Sequence, residues 1–380
     1  HALAGMGLPH GQAAEIAEEL LIFIDGLWQN VANPVTFTPE RARALLYRYL
    51  NQRLPGYGLT PPPDEMARRI AEDAGLSPEA RAFLKDNLPI SPLHLSGAGM
   101  PEIRDQFSQL YGPDSRAATK AFGLKLAQIG LGDIDTLRVT PKAVAKPEIR
   151  IFYLFGGGYA TGNPEADLPI SGALAHRLGV AVAAPRYRLA PEHRHPAALD
   201  DALAAYRAFV ATAQGPIWVV GESAGGGLAL AMVQAARDAG LPMPSAMALL
   251  SPWVDLTHRQ PSANDGFDPT LARSTLLDYA RLYAAKGADL AAPAISPLHG
   301  DLAGLPPMIV TTGSRDILRE QAHALTRSVT DAGGIAELHD WPGLWHVFEF
   351  YRTLPEAASS VDRIADFLRR HAAPARKDQT

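Results

Sequence analysis

From about residue 134 onward the chain repeats one pattern: a short apolar run, then a glycine-rich or polar turn, then a helical stretch. No other feature restricts the fold as much. The runs are Ile149–Phe155, Val180–Ala184, Ile217–Val220, Ala246–Leu250, Met308–Thr312 and Ile335–His339. Both alternating faces of these runs are apolar, so a strand made from one must be covered from two sides. The pattern predicts an α/β fold, a mostly parallel sheet flanked by helices. In such sheets reactive groups gather at the carboxyl ends of the strands.

The chain before this region reads as helical and without evident chemistry. Residues 1–55 suggest a helix pair. Ile16, Leu20, Phe23 and Leu27 form one apolar row, with Ala17, Leu21, Ile24 and Trp28 beside it. The second helix starts with Thr38 as N-cap and Pro39 at its first position. Leu54–Pro63 is turn-rich and reads as a linker. Residues 56–132 are expected to hold helices at Asp64–Ala74, Pro78–Leu88, Pro101–Tyr111 and Ala117–Ile129. The expected domains are therefore 1–55, 56–132 and 133–380.

The 380 residues are 47% hydrophobic and 20% charged, enough to bury a large core without disulfides. There is no cysteine, so a nucleophile must be oxygen or nitrogen and no thiolate metal site can form. The net charge of −5, with Lys and Arg scattered among acids, gives no footprint for nucleic acid. No stretch reaches the roughly 18–20 apolar residues a membrane span needs. No basic segment leads into an apolar one, as a secretory signal would require, so a cytoplasmic chain is expected. The start at His1 rather than Met leaves an upstream segment expected.

Two glycine-rich turns follow strand runs. Gly221-Glu222-Ser223-Ala224-Gly225 lies between Ile217–Val220 and the helical run Gly226–Ala236. Strand before and helix after is the context in which Gly-x-Ser-x-Gly makes a sharp turn and lifts the serine hydroxyl clear. The helix N-terminus behind it favours developing negative charge. Upstream, Phe155-Gly156-Gly157-Gly158-Tyr159 can bring backbone N–H groups close to a ligand. Together with the N–H of Ala224 it can form an oxyanion hole. A phosphate loop is the rival reading, but neither a Lys-Ser/Thr end nor a G-x-G-x-x-G spacing is present.

Asp316 follows the run Met308–Thr312, and His346 follows the last run. A neutral imidazole accepts a serine proton when a carboxylate fixes its tautomer, and Ser223, Asp316 and His346 come in the order of a strand-end triad. Glu320 is an alternative acid, one turn into the next helix. His193 and His195, near Glu192, read as packing residues of a proline-bounded loop. The 12 histidines show no metal-ligand spacing.

These motifs resemble the hormone-sensitive-lipase family of α/β-hydrolases, the bacterial family IV esterases. FGGGYATG (Phe155–Gly162) is similar to its HGGG block, and YRLAPEHRHPAALDDA (Tyr187–Ala202) to its YRLAPE stretch. GESAGGGLAL (Gly221–Leu230) is similar to its nucleophile segment. Ser296-Pro297-Leu298, GLPPMIVTTGSRDILRE (Gly304–Glu320) and His346 complete the set, over roughly 133–372. The resemblance implies an α/β-hydrolase fold with a helical N-terminal cap. It implies Ser223 as nucleophile, Asp316 and His346 as its partners, and Gly157, Gly158 and Ala224 as oxyanion donors. It also implies hydrolysis of small carboxylic esters without cofactor or metal. Phe155 stands where the family has a His that supports the glycine loop, so another support is needed here. Lactone or amide hydrolysis would use the same groups, and a non-catalytic receptor on this fold would lack the His. Pocket walls are expected from the cap and from Trp253–Leu290.

Residues 13–55 resemble the closing helices of a TetR-type repressor's ligand-binding and dimerisation domain. No helix-turn-helix accompanies them, so the resemblance implies a homodimer contact and no nucleic-acid partner.

Overall fold

Every apolar run of the second half folds as a strand. In the computed structural model, which describes residues 72–87, 99–144, 148–259 and 262–372, they are β3 (Ile149–Leu154), β4 (Ala181–Pro185), β5 (Trp218–Glu222), β6 (Ala246–Leu250), β7 (Met308–Gly313) and β8 (Ala336–Trp341). A hairpin, β1 (Leu124–Leu131) and β2 (Ile134–Pro141), completes an 8-stranded sheet of order β1-β2-β4-β3-β5-β6-β7-β8. β3 to β8 run parallel, while β2 is antiparallel to both β1 and β4. This is the α/β-hydrolase architecture that the motifs implied.

The helices are α1 (Pro78–Asn87), α2 (Met100–Ala121), α3 (Leu168–Leu178), α4 (Ala197–Thr212), α5 (Ser223–Asp238), α6 (Arg273–Tyr283), α7 (Arg319–Asp331) and α8 (Pro355–Arg370). α3 packs with α2 and α8, α4 packs with α5, and both groups touch the sheet. Their cover buries β4 to β7 at every position, as two-sided apolar strands demand. α8 starts with Pro355 and Glu356 and ends with Arg369 and Arg370, matching the helix dipole at both ends.

Two expectations fail between residues 101 and 131. The separate helices Pro101–Tyr111 and Ala117–Ile129 are one helix, α2, followed by a strand. Pro113 lies inside α2 and removes one backbone hydrogen bond. Contacts on both sides offset that loss. Tyr111 packs edge-on against Phe350 at 4.9 Å, and Ala118 is fully buried. Gly123, at φ 55°, ends the helix, and Gly132, at φ 58°, turns the hairpin. The sheet therefore begins before residue 133.

The expected helix pair in 1–55, the linker Leu54–Pro63 and most of the helix Asp64–Ala74 lie outside the described residues. Among the described residues no helix is long and apolar enough to cross a membrane.

Candidate active site

β5 ends directly in the Ser223 turn, and the turn survives only because its neighbours lack side chains. Ser223 itself holds φ 51°, a left-handed conformation uncommon for a non-glycine residue. A Cβ on Gly221 would stand 2.4 Å from the Gly225 carbonyl oxygen, and one on Gly225 2.2 Å from that of Leu154. The Trp253 N–H donates to the Ser223 carbonyl at 2.9 Å and braces the turn from the β6 side. Strain of this kind persists where surrounding contacts over-determine it.

The strand ends bring Ser223, His346 and Asp316 into one hydrogen-bonded line. His346 Nε2 lies 2.9 Å from Ser223 Oγ, and His346 Nδ1 lies 3.0 Å from Asp316 Oδ1. Asp316 is fully buried. It also accepts from Thr312 Oγ1 and the Leu318 N–H, each at 2.9 Å. Glu320 is not part of this line; its carboxylate accepts from Ser262 Oγ at 3.0 Å.

The loop after β3 faces Ser223. Gly157 and Gly158 have φ 101° and 61°, and a Cβ on Gly158 would fall 2.3 Å from the Tyr279 ring. Only glycine fits there. Ala224 follows Ser223 at the N-terminus of α5. Phe155, where a supporting His was implied, stacks on Tyr187 at 4.2 Å. The Tyr187 hydroxyl donates to the Phe155 carbonyl at 2.6 Å. A stacked ring pair and one phenol thus hold the start of the loop.

Several supporting residues carry no sequence signal. Asp268 Oδ2 accepts from the N–H groups of Ile317 at 3.0 Å and His346 at 3.3 Å, tying together the segments that carry Asp316 and His346. Ser251 Oγ accepts the Val347 N–H at 3.0 Å and bonds to Asp316. Asp268, Asp316 and His346 bring possible metal-ligating atoms within 4.8 Å of one another. Their carboxylate oxygens are already taken by N–H and O–H donors, including Thr270 at 2.8 Å, so the cluster is built as a hydrogen-bond network. His193 is exposed, and His195 Nδ1 meets the Tyr283 hydroxyl at 3.2 Å, away from the triad.

Ionisation follows these contacts. Burial works to lower the His346 pKa, but the charge and hydrogen bond of Asp316, with Asp268 and Glu349 behind, carry it above the ordinary imidazole value. For Asp316, burial pushes upward and the imidazole and its other donors prevail, leaving it below the usual carboxylate range. A negative Asp316 beside a proton-accepting imidazole is the charge arrangement a serine nucleophile requires.

The serine opens into a cavity of about 290 Å³. Its walls include Phe107 and Tyr111 from α2, Leu271, Leu276 and Tyr279 from the stretch following Trp253, and Phe350. Both expected sources of pocket wall contribute.

A family model described as alpha/beta hydrolase fold matches residues 151–350. The chain is 41% identical over 230 residues to an acetyl-hydrolase of Streptomyces hygroscopicus, covering 58% of this chain and 75% of that protein. It is 30% identical over 322 residues to a carboxylesterase of Mycobacterium tuberculosis, covering 79% of this chain and 99% of that protein. A solved structure of a hormone-sensitive lipase from a metagenome library superposes with a TM-score of 0.68 at 32% identity, over 77% of this chain and 98% of that one. The chain belongs to the α/β-hydrolase family. Within it, the chain is an enzyme of the hormone-sensitive-lipase group, a serine carboxylesterase.

Proposed function

We propose that this chain hydrolyses small carboxylic esters through an acyl-enzyme intermediate on Ser223. The observation that carries the reading is the unbroken line Ser223–His346–Asp316 at 2.9 and 3.0 Å. His346 Nε2 takes the hydroxyl proton as Ser223 Oγ attacks the ester carbonyl carbon. The N–H groups of Gly157, Gly158 and Ala224 receive the oxyanion. The alcohol leaves with the proton that His346 returns, and water, deprotonated by the same imidazole, releases the acid. No step needs a metal or cofactor.

The cavity sits near the lower end of the roughly 300–1,000 Å³ usual for ligand pockets, which favours short- to medium-chain acyl groups. A panel of p-nitrophenyl esters from acetate to laurate, run beside Ser223→Ala, tests both points. We expect kcat/KM to fall toward laurate and Ser223→Ala to lose roughly 10⁶ in kcat. A Ser223→Ala protein with a sizeable share of wild-type turnover would end the reading.

Residues 1–55, with the likeness to repressor dimerisation helices, we assign to homodimerisation and to no catalytic role. The two apolar rows ending at Leu27 and Trp28 are wider than one surface helix buries. A two-fold axis would pair the same patch on each copy. Deleting them should shift light scattering toward monomer while Ser223-dependent hydrolysis persists. A truncated protein that remains dimeric would remove this assignment.

A further inference from the structure

Glu222 and Asp167 form a second acidic group beside Ser223, one that the serine line does not use. Glu222, the residue before the nucleophile, accepts the N–H of Gly156, the first glycine of the loop. Asp167, just ahead of α3, accepts the Tyr153 hydroxyl at 2.9 Å. The two carboxyls lie against each other and line the same cavity as Ser223. They are 5% and 2% exposed. Ionised carboxylates only accept, so a hydrogen bond between two of them needs a proton on one.

We propose that Glu222 and Asp167 are positioning residues that share one proton, and that this proton holds the oxyanion loop against the nucleophile turn. With the proton present, Glu222 stays joined to Asp167 and keeps Gly156 in place, which fixes Gly157 and Gly158 next to Ser223. Without it, two adjacent anions repel each other beside the point where the transition state gathers negative charge.

The surroundings support proton retention. Among the described residues, the phenols Tyr153, Tyr111 and Tyr187 and the acid Glu349 act on the pair, and the one titratable base lining the same cavity, His346, has its own partner in Asp316. Burial pushes Asp167 up to about 7. Burial, then the charge of Asp167, pushes Glu222 well above the usual carboxylate range. The shared proton is thus held more tightly than on an ordinary carboxyl and is lost as pH rises, so kcat falls on the alkaline side while KM changes little.

Glu222→Gln and Asp167→Asn test this directly. An amide oxygen can still accept where the carboxylate did, and its NH₂ donates to the remaining carboxylate. Each variant therefore keeps the bonds and net charge of the singly protonated pair, with no proton to lose. The inference rests on the ester-hydrolase reading, so Ser223→Ala accompanies every measurement. Hydrolysis of p-nitrophenyl butyrate is followed from pH 7 to about pH 10, within the range where near-ultraviolet circular dichroism is constant. Wild type should lose about tenfold or more in kcat toward the alkaline end. Each amide variant should lie within about tenfold of wild type at pH 7 and stay flat. A wild type that stays flat, or a folded amide variant that keeps the alkaline fall, overturns the inference. If one variant does not fold, the other decides alone. Activity surviving in Ser223→Ala would instead overturn the ester-hydrolase reading.

Discussion

Ser223 stands between two buried carboxyl pairs that face different chemistry. On the imidazole side, Asp316 bonds to His346, Thr312, Ser251 and the Leu318 N–H, and it stays ionised below the usual range. Its neighbour Asp268 accepts from the N–H groups of Thr270, Leu271, Ile317 and His346. Burial, then the charge of Asp316, still raises it to about 6. On the glycine side, Glu222 and Asp167 have one backbone N–H and one phenol between them, apart from each other. Equal burial thus gives opposite ionisation. Direct contact with the His346 imidazole, more than donor number, sets Asp316 apart from the other three carboxyls. One pair supplies an anion to a base, and the other, two carboxyls sharing one proton and one negative charge, clasps a loop.

Amide substitution is the sharpest way to separate the two. Asp316→Asn places an NH₂ opposite His346 Nδ1, which selects the wrong tautomer, and kcat should fall on the order of 10⁴. Glu222→Gln preserves its bonding pattern, and its loss at pH 7 should stay within about tenfold. Steady-state kinetics on both variants at one pH, with thermal melts to verify folding, makes the comparison. Equal losses would erase the distinction drawn between an ionised and a protonated pair. Glu320→Gln belongs in the same series, because a loss there exceeding that of Asp316→Asn would move the acid assignment.

How much of this the sequence announces depends on how local the physics is. β4 to β7 are legible because strands covered on both faces must be largely apolar, and half-buried β8 is legible from its place in the alternation. β1 is not, because it is exposed at most positions and its residues continue the helical pattern of α2. Pro113 falls in the gap between the two helices expected at Pro101–Tyr111 and Ala117–Ile129, yet packing by Tyr111 and Ala118 carries α2 past it. Ser223, Asp316 and His346 are legible because each follows an apolar run in a fixed order. Asp268 is not, since it sits in the irregular segment before α6 and its role depends on His346, far along the chain. The Glu222–Asp167 pair is hidden for the same reason. Glu222 reads as a variable position within the serine motif, and nothing local marks Asp167 as its partner.

The smallest effect within the imidazole-side pair concerns Asp268, which reaches the His346 ring through charge and the His346 backbone through a hydrogen bond. Against the lowering effect of burial, Asp316, Asp268 and Glu349 raise the His346 pKa above the ordinary value of about 6.5. His346 accepts the serine proton only when neutral. For wild type, kcat/KM should therefore rise with pH through a limb centred above that ordinary value, then level off before any alkaline fall. Asp268→Asn removes one of the charges that favour the imidazolium, so His346 should titrate lower. The acid limb should then move toward lower pH, and the variant should keep a larger fraction of its plateau activity in mildly acidic buffer. The plateau itself should drop, because the imidazolium formed during attack loses part of its stabilisation. About tenfold is expected, well short of Asp316→Asn, because Asp316 still fixes the tautomer. The limbs belong to the coupled cluster of Asp268, Asp316 and His346, so the comparison is between apparent midpoints measured on one substrate. A limb that stays in place in Asp268→Asn, or moves upward, would show that Asp268 acts through its backbone contacts to Ile317 and His346 and adds no charge to the base.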